Sequence, residues 1–133
     1  MLYQIIYVST ASREMPTNQL ADILQQAREK NSRLGISGIL LYNRGTFIQV
    51  LEGERAVLSE LLRTIEHDTR HYNLITIDEA EIEQRDFPEW SMGFGQISDS
   101  QLESLEGIND FMQTGELPAT VHGAIRDILD DFR

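Results

Sequence analysis

The residue that most invites a chemical explanation is Gln49, inside Gly45-Thr46-Phe47-Ile48-Gln49-Val50-Leu51-Glu52-Gly53. The segment is β-branched and aromatic between turn signals, so it reads as a strand. Side chains alternate along a strand, placing Phe47, Gln49 and Leu51 on one face and Ile48 and Val50 on the other. Both faces are apolar, as in a central strand covered on both sides. A glutamine buried there without partners costs about 1–3 kcal/mol. The chain must supply it with a protein group or a bound polar molecule.

Tyr7 shares a helix-side face with Gln49 in this reading, and a buried tyrosine needs a partner for its hydroxyl. Asn31, closing the first helix, offers a second amide towards the same region. Two such amides suit a heteroaromatic ring with alternating carbonyls and an imide N–H, the edge of a flavin or pterin. On the residues alone the plainer reading is preferred, with Gln49 and Tyr7 hydrogen-bonded in a core.

His67-Asp68-Thr69-Arg70-His71 admits louder readings. His67 and His71 have the spacing of a helical metal pair, but the glutamate of a metalloprotease helix is missing and the helix should end within the motif. No metal site is therefore expected. Arg70 and His71 could hold phosphate or hydroxyls, against an ordinary solvated helix end. A hydrolase built on Ser37 or Ser9 lacks a nucleophile elbow, and no phosphate-cradling glycine loop or dinucleotide fingerprint is present. Trp90 and Met92 have the character of core residues.

The elements that must position these groups follow from periodicity. Leu2 to Ser9 forms a first strand, with Tyr3, Ile5 and Tyr7 on one face. Leu20, Ile23, Leu24 and Ala27 recur at helical spacing in a helix ending near Asn31. Ile39 to Tyr42 and the Gln49 strand make a hairpin around Asn43-Arg44-Gly45. A second helix carries Val57, Leu58, Leu61, Leu62 and Ile65 on one face, with early glutamates suited to its N-terminus. Leu74 to Glu81 is a fourth strand and Trp90 to Phe94 a fifth, with Trp90, Met92 and Phe94 on one side. The predicted fold is α+β, a ferredoxin-like βαββαβ arrangement with a fifth strand and two helices on one sheet face. The first strand should lie beside the Gln49 strand or one place removed.

After Gln96 the character changes. Ser98 to Gln101 fits a capping box. Leu102, Leu105, Ile108 and Met112 form one apolar stripe, and Val121, Ile125, Ile128, Leu129 and Phe132 another. The expectation is a first unit over residues 1–97 and a two-helix appendage over 98–133. That appendage either caps the bare sheet face or serves homo-oligomerisation or effector docking.

Composition sets outer bounds. The 133 residues suit one domain with a real core. Without cysteine there is no disulfide framework and no thiolate chemistry. A net charge of −11 argues against nucleic acid or an anionic membrane as main partner. No apolar run approaches a membrane span and the N-terminus lacks signal-peptide features, so a cytoplasmic placement is expected.

Together the residues resemble a BLUF domain, the blue-light sensor using flavin. The resemblance covers about residues 2 to 96. It rests on Ile6-Tyr7-Val8-Ser9, Asn31 before Gly35-Ile36-Ser37-Gly38, Phe47 through Gly53, Asp68-Thr69-Arg70-His71, and Arg85 through Met92. It implies a non-covalent flavin between the two helices, FAD being expected and FMN the alternative. Asn31 and Gln49 would bond its polar edge and Tyr7 would bond Gln49. Asp68, Arg70 and His71 would lie near the ring and its ribityl-phosphate chain, with Lys30 a weaker candidate. Ser37 stands where many members carry threonine.

The implied photocycle has the excited flavin drawing an electron and a proton from Tyr7 through Gln49. Recombination leaves the Gln49 amide rotated or tautomerised, which red-shifts absorption. The change passes to the fifth strand, where Trp90 and Met92 exchange positions, and on to the C-terminal helices. The resemblance thus implies a stand-alone photoreceptor, not an enzyme, signalling through protein contacts. Its rivals are a light-independent ferredoxin-like ligand-binding module and a small hydrolase using His71 and Asp68.

Overall fold

The computed structural model describes residues 1–11, 17–43, 45–68, 71–88, 92–96, 98, 101 and 119–131; for Thr17, His71, Tyr72, Asn73, Gln96, 119–122 and 124 it describes the backbone alone. The elements are β1 (Leu2–Ala11), α1 (Thr17–Leu34), β2 (Ser37–Asn43), β3 (Thr46–Glu54), α2 (Arg55–Glu66), β4 (His71–Glu81), β5 (Gly93–Gln96) and α3 (Ala119–Asp130). The strands form one mixed sheet in the order β4-β1-β3-β2-β5. Among the described residues only the β2–β5 pairing is parallel. The strand carrying Gln49 is thus the central one, and β1 lies directly beside it.

The β3 alternation decides the two cores. Phe47 and Leu51 join Tyr3, Ile5 and Tyr7 against Leu20 and Leu24 of α1 and Leu58 and Leu61 of α2. Ile48 and Val50 join Ile6, Val8, Ile39 and Leu41 on the opposite face, against Ile125, Ile128 and Leu129 of α3. Burying an aliphatic side chain of this size contributes about 1.5–3 kcal/mol, so three of them hold α3 on the sheet. The second apolar stripe of the C-terminal region is therefore spent on capping this face. The predicted helix over Leu102 to Met112 lies outside the described residues. Its capping box is formed: Ser98 N donates to Gln101 Oε1 and Gln101 N to Ser98 Oγ, each at 3.0 Å. The Gln101 amide also donates to Asp131 Oδ2, just past α3, at 2.6 Å.

Several details differ from the sequence reading: β1 runs on to Ala11, β2 spans Ser37–Asn43, and β4 starts at His71 rather than Leu74. The first helix runs on to Leu34, ending where Gly35 takes φ +70°. The Ile36 N–H closes onto the Asn31 carbonyl at 2.9 Å, the Schellman closure that a left-handed glycine permits. The fifth strand starts at Gly93, not Trp90, because pairing with β2 begins at Ile39–Gly93. Met92 precedes it and is buried, whereas Phe94 is exposed, so the two do not share an environment. Glu54 occupies the N-cap of α2 without capping it; its carboxylate meets the Met1 amino group instead, at 2.7 Å.

Gly38 in β2 takes a positive φ of +157° beside Val50 of β3. A Cβ there would lie 1.9 Å from the Val50 carbonyl oxygen, so only glycine fits. The β1–β4 register slips at Ile6/Tyr7 and again at Val8/Thr10. The first falls just before Tyr7 and the second at Ser9, and such irregularities re-aim side chains.

Candidate functional site: a polar-edged cleft between two helices

The helix-bearing face is not fully closed. Between α1 and α2 a cleft of ≈ 270 Å³ remains, floored by the sheet. Its walls are mostly apolar, including Ile23, Ala27, Leu40, Phe47, Leu61 and Ile65. Tyr7, Asn31, Gln49, Asp68 and Met92 supply polar or polarisable groups, with Lys30 also on the lining.

Each group is placed by an element already described. Tyr7 and Gln49 are direct cross-strand partners in the β1–β3 ladder, which brings a phenol and an amide side by side on the floor. Asn31 reaches the cleft from the last turn of α1, fixed by the Gly35 closure. Asp68 follows α2, whose chain end is tied by the Asp68 N–H to the Ile65 carbonyl at 3.0 Å. Gln49 Nε2 donates to Met92 Sδ at 3.4 Å in a buried contact. Among the described residues no hydrogen bond joins the amide to the Tyr7 hydroxyl. Burial pushes the Tyr7 phenol well above its ordinary pKa, and the charge of Asp68 adds to the shift. The phenol is therefore held protonated at neutral pH.

Of the remaining sequence candidates, Arg70 and Trp90 lie outside the described residues. The backbone of His71 opens β4 opposite Ala11, and its side chain is outside the described set. Among the described residues no group of three or more His, Asp or Glu is placed to hold a metal, and no helix is long and apolar enough to cross a membrane. Ser37 accepts from Arg85 Nη1 at 2.7 Å and is 4% exposed, which leaves it no role as a nucleophile.

Sequence reasoning missed several residues. Ser9, weighed above only as a nucleophile, lines the cleft together with Gln26 and Thr64; alternation from Tyr7 points to Ser9, and the three-residue helical step from Ile23 points to Gln26. Glu52, fully buried, accepts from Gln4 Nε2 at 2.9 Å, Asp86 N at 2.8 Å and Phe87 N at 2.8 Å. A carboxylate on the apolar face of a central strand was the available signal. Arg85 completes this clamp by donating to the carbonyls of Glu52 and Gly35, at 2.9 and 2.7 Å.

An apolar-walled cleft whose lining includes two amides and a phenol is chemically suited to a conjugated ring with a polar edge. Ser9 tests that fit: its Oγ is buried, the residue is 1% exposed, and among the described residues it has no hydrogen-bond partner. An orphaned hydroxyl at a cleft wall is explained by an occupant that supplies the partner.

The family model BLUF, sensors of blue light using FAD, matches residues 2–93, and the chain belongs to that family. The photoactivated adenylate cyclase subunit beta of Euglena longa is 37% identical over 92 residues, 68% of this chain. This chain spans 11% of the length of that relative. Two solved structures are matched over nearly their full lengths. BlrB, a BLUF protein in its dark state, is 30% identical with a TM-score of 0.75, covering 99% of this chain and 97% of that one. The photo-activated state of BlsA is 29% identical with a TM-score of 0.76, covering 97% and 95%.

Proposed function

We propose that this BLUF protein senses blue light through a hydrogen-bond switch formed by Tyr7, Gln49 and the flavin, read out by Met92 and passed to β5 and α3. The observation that carries the proposal is the Tyr7–Gln49 cross-strand pair, with the amide donating to a movable sulfur at 3.4 Å. Flavin, when bound, absorbs blue light and supplies a strong one-electron oxidant. Asn31 and Gln49 hold its polar edge; Asp68, with Arg70 and His71, serves the polar chain beyond the ring. FAD is the expected form.

The protein's own steps are short. With flavin bound, Tyr7 would give up one electron and its phenolic proton, and the Gln49 amide would relay that proton. Both return to Tyr7 within the cycle, so there is no net oxidation. The amide is left rotated or in its imidic tautomer, and its donor no longer points at Met92 Sδ. That loss frees the methionine next to the first paired residue of β5.

Output runs through protein contacts, without catalysis. β5 pairs with β2, and α3 rests on the far face of the same sheet. A shift of β5 thus has a path to α3 through Ile39 and Leu41. The receiver is a second copy of the chain or a separate effector protein. The rival reading, a light-independent ligand-binding module, predicts colourless protein. The deciding measurement is the absorption spectrum of the purified protein before and after blue light. A flavin spectrum with a reversible red shift supports the switch. Protein that remains colourless with added FAD and FMN, or yellow without a shift, overturns it.

A further inference from the structure

Met92 is held from two sides, and only one of them is the amide. Arg28 Nε donates to the Met92 carbonyl oxygen at 2.8 Å. Arg28 lies one turn before Asn31 on α1, beside the stripe formed by Leu20, Leu24 and Ala27. Its stem can follow that stripe while its head reaches the segment leading into β5. A guanidinium bonded to a carbonyl is a charge-assisted interaction, stronger than an amide donating to a thioether. The weaker of the two ties is the one that switches.

We propose that Arg28 is a positioning residue that pins the Met92 backbone, so that the methionine sulfur stands against Gln49 and its release governs the lifetime of the light-adapted state. The second part rests on the proposed switch; the first part does not. With the carbonyl pinned one residue before the Ile39–Gly93 pair, the sulfur departs by rotation of the side chain about a fixed backbone. Losing the pin lets the whole segment move and alters the relative stability of the two arrangements. Arg28 does not line the cleft, so its removal should leave flavin affinity intact.

The test uses the full chain loaded with FAD, labelled with 13C on the methionine methyl groups. Met92→Leu identifies the Met92 signal. In the dark, Arg28→Met should displace that signal, and Arg28→Lys, which keeps a cationic donor on a long stem, should restore it. After a blue-light pulse, Arg28→Met should keep the full red shift yet change the dark-recovery rate by about tenfold. In a Met92→Leu background the same substitution should change recovery less than about twofold, because the coupled partner is gone. An unmoved Met92 methyl signal in both Arg28 variants overturns the positioning role, whether or not the protein responds to light. An equal rate effect in both backgrounds shows that Arg28 acts elsewhere. A wild-type protein without a red shift defeats the switch, while the dark methyl measurement still decides the pin.

Discussion

Gln49 and Met92, 43 residues apart in sequence, meet on the helix-bearing face of the sheet, where the amide Nε2 donates to the thioether Sδ at 3.4 Å. Sulfur is a poor acceptor, so this contact holds the amide without locking it. An amide bonded only weakly on its donor side can be turned at low cost, as a switch between two hydrogen-bond patterns requires.

Gln49→Leu should bind flavin, since the side chain volume is nearly kept, yet show no red-shifted state. The check is a light-minus-dark difference spectrum. A persistent shift would assign the switching group to another residue.

Tyr7→Phe should remain yellow and lose the light-induced shift, because the ring still packs while the electron and proton donor is absent. The substitution has a second signature in pH. The folded phenol is raised above its ordinary value near 10, so it stays protonated while the unfolded chain begins to ionise. Tyr7 therefore contributes no pH dependence below about pH 10, and above it stability falls by up to about 1.4 kcal/mol per pH unit. Urea unfolding of wild type and Tyr7→Phe should give parallel curves at neutral pH, with the wild type falling more steeply above pH 10.

Ser9→Ala removes a buried hydroxyl that has no partner among the described residues. The flavin-free protein should be as stable as wild type or more so, by up to about 1 kcal/mol. Flavin affinity should fall about fivefold, the cost of one lost neutral hydrogen bond. Urea midpoints of the apoprotein and fluorescence titration with FAD measure the two effects. A destabilised apoprotein would show that the hydroxyl already has a structural partner.

Glu52→Gln should cost about 1–3 kcal/mol, because an amide presents an N–H where one of three donors now binds a carboxylate oxygen. The loss should appear as a lower urea midpoint. Faster hydrogen exchange at the Asp86 and Phe87 amides would localise it to this clamp.

Gly38→Ala should abolish cooperative folding. A methyl 1.9 Å from the Val50 carbonyl forces β2 away from β3, and the two strands carry Leu40, Gln49 and both cores. Circular dichroism during heating should show no sharp transition, whereas Gly35→Ala should fold with a weakened end to α1.

The sequence by itself determined the chain order of the five strands and the two helices that flank the cleft, and the two faces of the central strand. Those depend on short-range periodicity: alternation along β3 put Gln49 with Phe47 and Leu51, and a 3.6-residue repeat set the inner faces of α1 and α2. The family could be recognised from the spacing of a few short segments. The tertiary structure decided which residues meet. Nothing local to Gln49 indicates that Met92 should be its acceptor, or that Arg28 should hold the methionine's carbonyl. Nor does local pattern say that Glu52 clamps the turn at Asp86 and Phe87 rather than serving the helix after it. It likewise left the C-terminal stripe open between capping and docking, until Ile125, Ile128 and Leu129 were found against Ile48 and Val50. Hydrogen bonds and apolar contacts between distant segments depend on sheet order, and a residue's own neighbours in sequence do not encode that order.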